Sequence, residues 1–240
     1  MKITYSFLSL SDLSDLSKGE KLLEILSSYN LTIEKADEHE PIRKEFTLSR
    51  FKEIWKGRRL EGEEFTSCYF LFKGKREIKF MGMASWAVGI HPNSKSFNGI
   101  SLWLTIPKKY DVNKLIKLGD DLFVWSEAIY GYITEDSKDP TYNLQIGNVY
   151  DGLPGLLWVN YFGAPYLKEP DFHILKDHVL VSHGARLILS ERPDDEKLSD
   201  IDFLENIKKQ IGIEWFWSRP RRRDLKVPYF DRTAITRKEI

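Results

Sequence analysis

The chain has 240 residues, 42% of them hydrophobic and 30% charged, with 36 basic side chains against 36 acidic ones. That is apolar enough for a folded core and excludes disordered, collagen-like and low-complexity architectures. The charge balance sets no whole-protein field of either sign, which argues against a dedicated nucleic-acid binder. A single cysteine, Cys68, excludes an internal disulfide framework and a multi-thiolate zinc site, and fits a reducing compartment. The richest apolar runs, Gly155–Phe162 and Val179–Leu189, are broken by polar residues, so no membrane span is expected. Near the start, serines and aspartates stand where a signal peptide needs a continuous apolar core, and the expectation is a cytoplasmic protein, mature from its first residue.

In chain order, Ser14–Tyr29 carries Leu16, Leu22, Leu23, Ile25 and Leu26 at close to helical spacing and predicts an amphipathic helix. Glu34–Glu40 reads as an exposed acidic loop ended by Pro41, and Phe46–Trp55 fits a short helix or a strand equally well. A hairpin is the clearest local signal: Phe65–Phe72, a Lys73-Gly74-Lys75 turn with glycine at positive φ, and a return strand Glu77–Val88. Ile100–Ile106 predicts a third strand, covered on both faces, and Asp111 an N-cap for a helix through Glu127 whose apolar stripe extends to Ile129. Tyr130–Ile133 predicts a strand and Thr134–Tyr150 a long polar loop, the length of which marks it as functional. Gly155–Phe162 reads as a strand or buried segment ended by Gly163-Ala164-Pro165. Val179–Ser182 and Ala185–Leu189 read as a strand pair, and Leu198–Ile211 as a helix starting at Ser199.

These elements predict an α+β fold with a mostly antiparallel sheet covered by helices. The chain reads as one domain over 1–240, divisible into two similar halves, 1–134 and 151–240, that share one core and are joined by the polar loop. Charge is polar along the chain. Glu191–Glu205 holds seven acids against two bases, while 214–240 holds eight bases against four acids, concentrated in Arg219–Arg223.

Each candidate constellation has a plain alternative. His173, His178 and His183 recur every five residues, which fits neither a helix face nor a strand face, so no metal and no cofactor is expected. Glu77 and Lys79 with Glu63 or Glu64 could be arranged as a magnesium-dependent nuclease, but alternating charges on a solvated strand explain them equally well. Arg219–Arg223 after Trp215, Phe216 and Trp217 could bind phosphate and stack a base, or form a solvated edge. No nucleophile elbow, phosphate loop or dinucleotide fingerprint occurs, and Cys68 lies in an aromatic run that predicts a buried, inert thiol. The expectation is a protein that is not an enzyme.

The block Gly152-Leu153-Pro154-Gly155-Leu156-Leu157-Trp158-Val159-Asn160-Tyr161-Phe162-Gly163-Ala164-Pro165-Tyr166-Leu167 resembles one in bacterial immunity proteins of polymorphic toxin systems. The similarity is to the Imm52-type family and related type VI secretion immunity proteins, and in element order it runs from Leu102 to Ile211, with the Tyr130-Gly131-Tyr132 strand upstream of the block. The resemblance implies an α+β protein without catalysis that binds a cognate toxin domain, often a nuclease, in the producing cell. Trp158, Asn160, Tyr161 and Gly163 match the block and are expected to be structural. A cationic toxin groove would be met by acids, for which Asp194, Asp195, Glu196, Asp200 and Asp202, or Glu34, Asp37 and Glu38, are the candidates.

Overall fold

The structure is a computed structural model and describes residues 1–61, 64–90, 97–107, 109–136, 149–181, 184–217 and 224–236. At the start of the chain Ile3, Tyr5 and Phe7 are buried on one face while Ser6 and Leu8 are half-buried on the other, a period of two that sets strand β1 (Lys2–Ser9). This strand is central. It pairs antiparallel with β5 (Asn98–Thr105) on one side and β6 (Ala128–Glu135) on the other. Outward from β5 lie β4 (Lys79–Ile90), β3 (Glu64–Gly74) and the short edge strand β2 (Lys35–Asp37). Beyond β6 lie β7 (Val159–Gly163), β9 (Gly184–Ile188) and β8 (Val179–Val181), giving one nine-stranded sheet in the order β2-β3-β4-β5-β1-β6-β7-β9-β8. Every strand pairing is antiparallel, which makes the fold α+β.

Helices cover opposite faces of the two ends of this sheet. Helices α1 (Leu16–Ser28), α2 (Leu48–Trp55) and α3 (Val112–Ser126) pack on the face that carries Ile3, Tyr5, Phe7, Phe70, Phe72 and Leu102. Each begins at a side-chain cap: Asp15, Thr47 and Asp111 accept from the backbone N–H groups of Ser17, Arg50 and Asn113. Helix α4 (Ala164–Leu167), a 3₁₀ segment Pro170–His178 and α5 (Ile201–Ile211) lie over the other face, where Tyr130, Tyr132 and Phe162 meet Tyr166, Phe172 and Trp215. Apolar packing thus forms two clusters, one on each face of the sheet, with Leu198 packed against both.

Several local expectations change. Phe46–Trp55 resolves as helix α2, because Thr47 caps it and Phe51, Ile54 and Trp55 bury one face. The hairpin strands run longer than expected: Gly74 is still paired with Phe80, and the reversal is Lys75–Ile78. Gly74 has no positive φ; it is required because a Cβ there would sit 2.1 Å from the Thr32 carbonyl oxygen. Strand β5 is covered on one face only, since Trp103 is half-buried and Thr105 exposed opposite Leu102 and Leu104. Ile129 belongs to β6, because Glu127 takes a left-handed conformation and closes α3. Gly155–Trp158 precedes the strand, and α5 is capped by Asp200, not Ser199. Glu34–Glu40 is not a free loop: its centre is β2, held to β3 and to the Lys44 and Glu45 backbone, with Ala36 fully buried.

Candidate interaction face

Because the second helical layer sits over β6, β7 and β9, the same face of β2–β5 carries no helix among the described residues. Strand register lays out what that face presents. One row runs Lys35, Lys73, Met81, Trp103, Thr4; the next runs Asp37, Leu71, Met83, Ser101, Ser6; Lys79, Thr105 and Lys2 form a third. Tyr69 and Met81 are 54% and 38% exposed, and Leu71, Met83 and Trp103 are half-buried. An uncovered sheet face is ordinarily polar, so an aromatic and two methionines at its centre mark a surface built to be covered. A groove of about 700 Å³ opens where these rows end, lined by Met81, Trp103, Thr105 and the lysines at 2, 35, 73, 75 and 79, with Glu34 and Asp136 at its margins.

The charges around this groove are arranged unevenly. Lys2 pairs with Asp136 at 3.5 Å and Lys35 with Glu45 at 3.4 Å. Glu34 accepts from the Lys75 backbone N–H at 3.1 Å and pairs with Arg76 at 3.4 Å. Lys73 stands directly across from Lys35, and Lys79 is on the diagonal beside it. Like charges directly opposite one another on antiparallel strands are destabilising, so the fold keeps this cluster at a cost.

Of the residues expected from sequence, Glu34 and Asp37 lie at the edge of this face and Glu38 beside it, while the acids of 194–202 lie at the other end of the sheet. Glu34, Asp37 and Glu38 are partly buried on and beside β2 and engaged within the chain: Asp37 with Arg50 and Lys44, Glu38 with Arg58. Cationic neighbours and the Glu38 N–H hold the Asp37 carboxyl below the usual range against the opposing effect of burial. Asp194 takes two hydrogen bonds from Arg192, Asp195 caps a 3₁₀ turn and Asp200 caps α5. Much of that acidic run is therefore helix-capping chemistry, and Glu196 and Asp202 are the members whose exposed carboxylates hold no hydrogen-bond or ion-pair partner among the described residues. The two acidic sets belong to opposite ends of the strand order and do not come together.

Trp158, Asn160, Tyr161 and Gly163 are all buried. Trp158 Nε1 donates to the Ser190 carbonyl at 2.9 Å, and the Asn160 amide both accepts from the Leu157 N–H and donates to its carbonyl, at 2.9 and 2.7 Å. The Tyr161 hydroxyl donates to Asp120 at 2.9 Å, and Arg186 completes that group. Burial pushes the Asp120 carboxyl upward, with Arg186 and Tyr161 drawing it part of the way back. A Cβ at Gly163 would lie 2.4 Å from the Ala128 carbonyl oxygen, so this position is fixed by backbone approach.

The imagined nuclease arrangement does not assemble. Glu64 lies at one end of the hairpin and Lys79 at the other, about 37 Å apart at the usual strand rise. Glu77 is in the turn, exposed, and Glu63 is outside the described residues. Trp215 and Phe216 are buried in the second cluster, Trp215 donating to Asp171 at 2.9 Å, so neither is free to stack a base. Arg219–Arg223, His183 and residues 137–148 of the polar loop lie outside the described residues. His173 and His178 are exposed on the 3₁₀ segment, and among the described residues no group of three or more His, Cys, Asp or Glu is placed to hold a metal ion. No helix among them is long and apolar enough to cross a membrane.

Comparison with solved structures finds the same fold in the Pseudomonas aeruginosa T6SS protein PA0821. The match has a TM-score of 0.51 at 14% sequence identity and covers 88% of this chain and 72% of that one. This chain shares its architecture with a type VI secretion protein. No family model matches the sequence, and no curated protein does.

Proposed function

We propose that this protein is an inhibitor of the immunity type, of the Imm52-type family or a related type VI secretion immunity family, which binds a cognate toxin domain in the cytoplasm of the producing cell. The observation that carries the reading is the uncovered face of β2–β5, where Tyr69, Leu71, Met81, Met83 and Trp103 offer apolar area that a monomer gains nothing by leaving in water. The block Gly152–Leu167 and the fold shared with a type VI secretion protein support it. Of the two kinds of surface, this face is preferred over the acidic run, because it joins apolar area to charge whereas most of those acids are already engaged.

The test is co-expression with the toxin domain encoded by the adjacent gene. The inhibitor should co-purify with it and restore growth to cells that the toxin alone arrests. A folded protein that neither binds that domain nor protects against it would remove the reading.

A further inference from the structure

We propose that the uncovered face of β2–β5 is the docking site for an acidic polypeptide segment of the partner, with Lys73 and Lys79 as its principal charge contacts and Trp103 and Met81 as its apolar floor. The identity of the partner rests on the inhibitor reading above; the chemistry of the segment rests on this face alone. Lys73 and Lys79 are neighbours on paired strands, and neither ammonium group has a hydrogen-bond or ion-pair partner among the described residues. Lys35 faces Lys73 directly, and Lys2 flanks Thr105 opposite Lys79, so together with Lys75 five lysines line one groove. A carboxylate entering there turns like-charge crowding into attraction, and the adjacent Trp103 and Met81 exclude water from the pair, which strengthens it.

Other occupants fit less well. A second copy of the chain docked through a two-fold would set this lysine cluster against itself. A nucleic acid would bring a continuous row of phosphates past Glu34 and Asp136, which line the same groove, and the groove offers lysines with a half-buried tryptophan where strand binding calls for a stacking platform. A polypeptide can place carboxylates at Lys73 and Lys79 and apolar side chains over Met81 and Trp103 without meeting those acids.

The test uses the full chain and two labelled probes of equal nominal charge, decaglutamate and an oligothymidylate, followed by fluorescence anisotropy at low salt. Three proteins are compared: the unaltered chain, K73E/K79E, and K114E/K117E, which reverses two exposed lysines of α3 on the opposite layer. Decaglutamate should bind the unaltered chain and K114E/K117E alike and K73E/K79E at least about tenfold more weakly. Tighter binding of the oligothymidylate, an equal loss in both double variants, or no binding of decaglutamate would each overturn the proposal. A second arm asks whether K73E/K79E, shown to be folded by circular dichroism, captures the toxin domain encoded by the adjacent gene. Loss of capture supports the proposal. Undiminished capture overturns this docking face and leaves the inhibitor reading intact, whereas failure of the unaltered chain to capture the domain defeats the inhibitor reading while the decaglutamate arm still decides the face.

Discussion

Asn160 offers a direct test of whether the Gly152–Leu167 block fixes the fold. Its side chain is fully buried in β7 and folds back on Leu157, accepting from that residue's N–H and donating to its carbonyl. Replacing it by leucine keeps the volume nearly constant, so the cavity contribution is small, while both Leu157 backbone groups lose their partner. An unpaired buried donor or acceptor costs about 1–3 kcal/mol, which puts Asn160→Leu at about 2–6 kcal/mol for the two together. For a chain of this size, at about 2–4 °C per kcal/mol, the Tm should fall by roughly 4–24 °C. Urea unfolding followed by tryptophan fluorescence measures the free energy, and Asn160→Ala, which adds a cavity, should be at least as damaging. Binding to a partner, corrected for the folded fraction, should not change. A loss below about 1 kcal/mol in Asn160→Leu would mean that Leu157 finds other partners and that the clamp does not hold the turn into β7.

Three further outcomes follow from buried groups. The Cys68 thiol donates to the Ile54 carbonyl at 3.3 Å, and burial, helped by the Glu38 charge, pushes it up to about 12. It should resist thiol reagents at pH 8 until denaturant is added, and because the folded state binds that proton more tightly, stability should fall from about pH 8.5 upward, a slope that Cys68→Ala removes; ready labelling of native protein would contradict this. The Tyr166 hydroxyl is buried with no hydrogen-bond partner among the described residues, so Tyr166→Phe should leave stability unchanged or raise it by up to about 1 kcal/mol, and a clear loss in urea melts would refute it. Asp171 accepts from Lys226 at 2.7 Å and from Trp215 at 2.9 Å, and these bonds hold its carboxyl below the usual range, as Lys226 and a backbone N–H do for Glu214. Their contribution is present above about pH 4 and is lost as pH falls through the lowered folded values, so Asp171→Asn should flatten the acid limb of Tm between pH 5 and 2; an unaltered acid limb would exclude this group from it.

Elements with strong local signals were legible. The stripe on α1, the aromatic hairpin of β3 and β4, and the capped helix α3 all follow from spacing and end chemistry. The central strand β1 escaped the reading although Ile3, Tyr5 and Phe7 alternate with Thr4 and Ser6 as a strand requires. Strand β2 is three residues long and exists because Lys35–Asp37 meets β3, a partner far along the chain that no local propensity announces. The extra hairpin length came from Gly74, where glycine serves a close approach to the Thr32 carbonyl and not a turn. Two acids of the 194–202 run, Asp195 and Asp200, are also caps. At Asp195 and Asp200 the same short carboxylate that gives negative charge satisfies the first backbone N–H groups of a helical turn, and composition cannot separate the two uses.

The candidate face was invisible for a different reason. Lys2, Lys35, Lys73, Lys79 and Trp103 come from five strands, and each alone is an ordinary outward residue of an alternating pattern. What distinguishes them is the register that brings them side by side and the absence of a covering helix among the described residues, and both are set by long-range pairing. The layers cross because the β-rich first half sends α1, α2 and α3 to one face, while the segments after β7 turn at Gly163 and return over the other. A sheet covered on alternate faces leaves two open quadrants. One holds Arg186 and Ile188 of β9 beside α3, where Asp120 already engages the arginine. The other holds Lys73 and Lys79, whose ammonium groups meet no acid among the described residues, over an apolar floor, and an acidic segment of a partner is what we propose to neutralise them, because like charges on adjacent strands repel until an opposite charge enters.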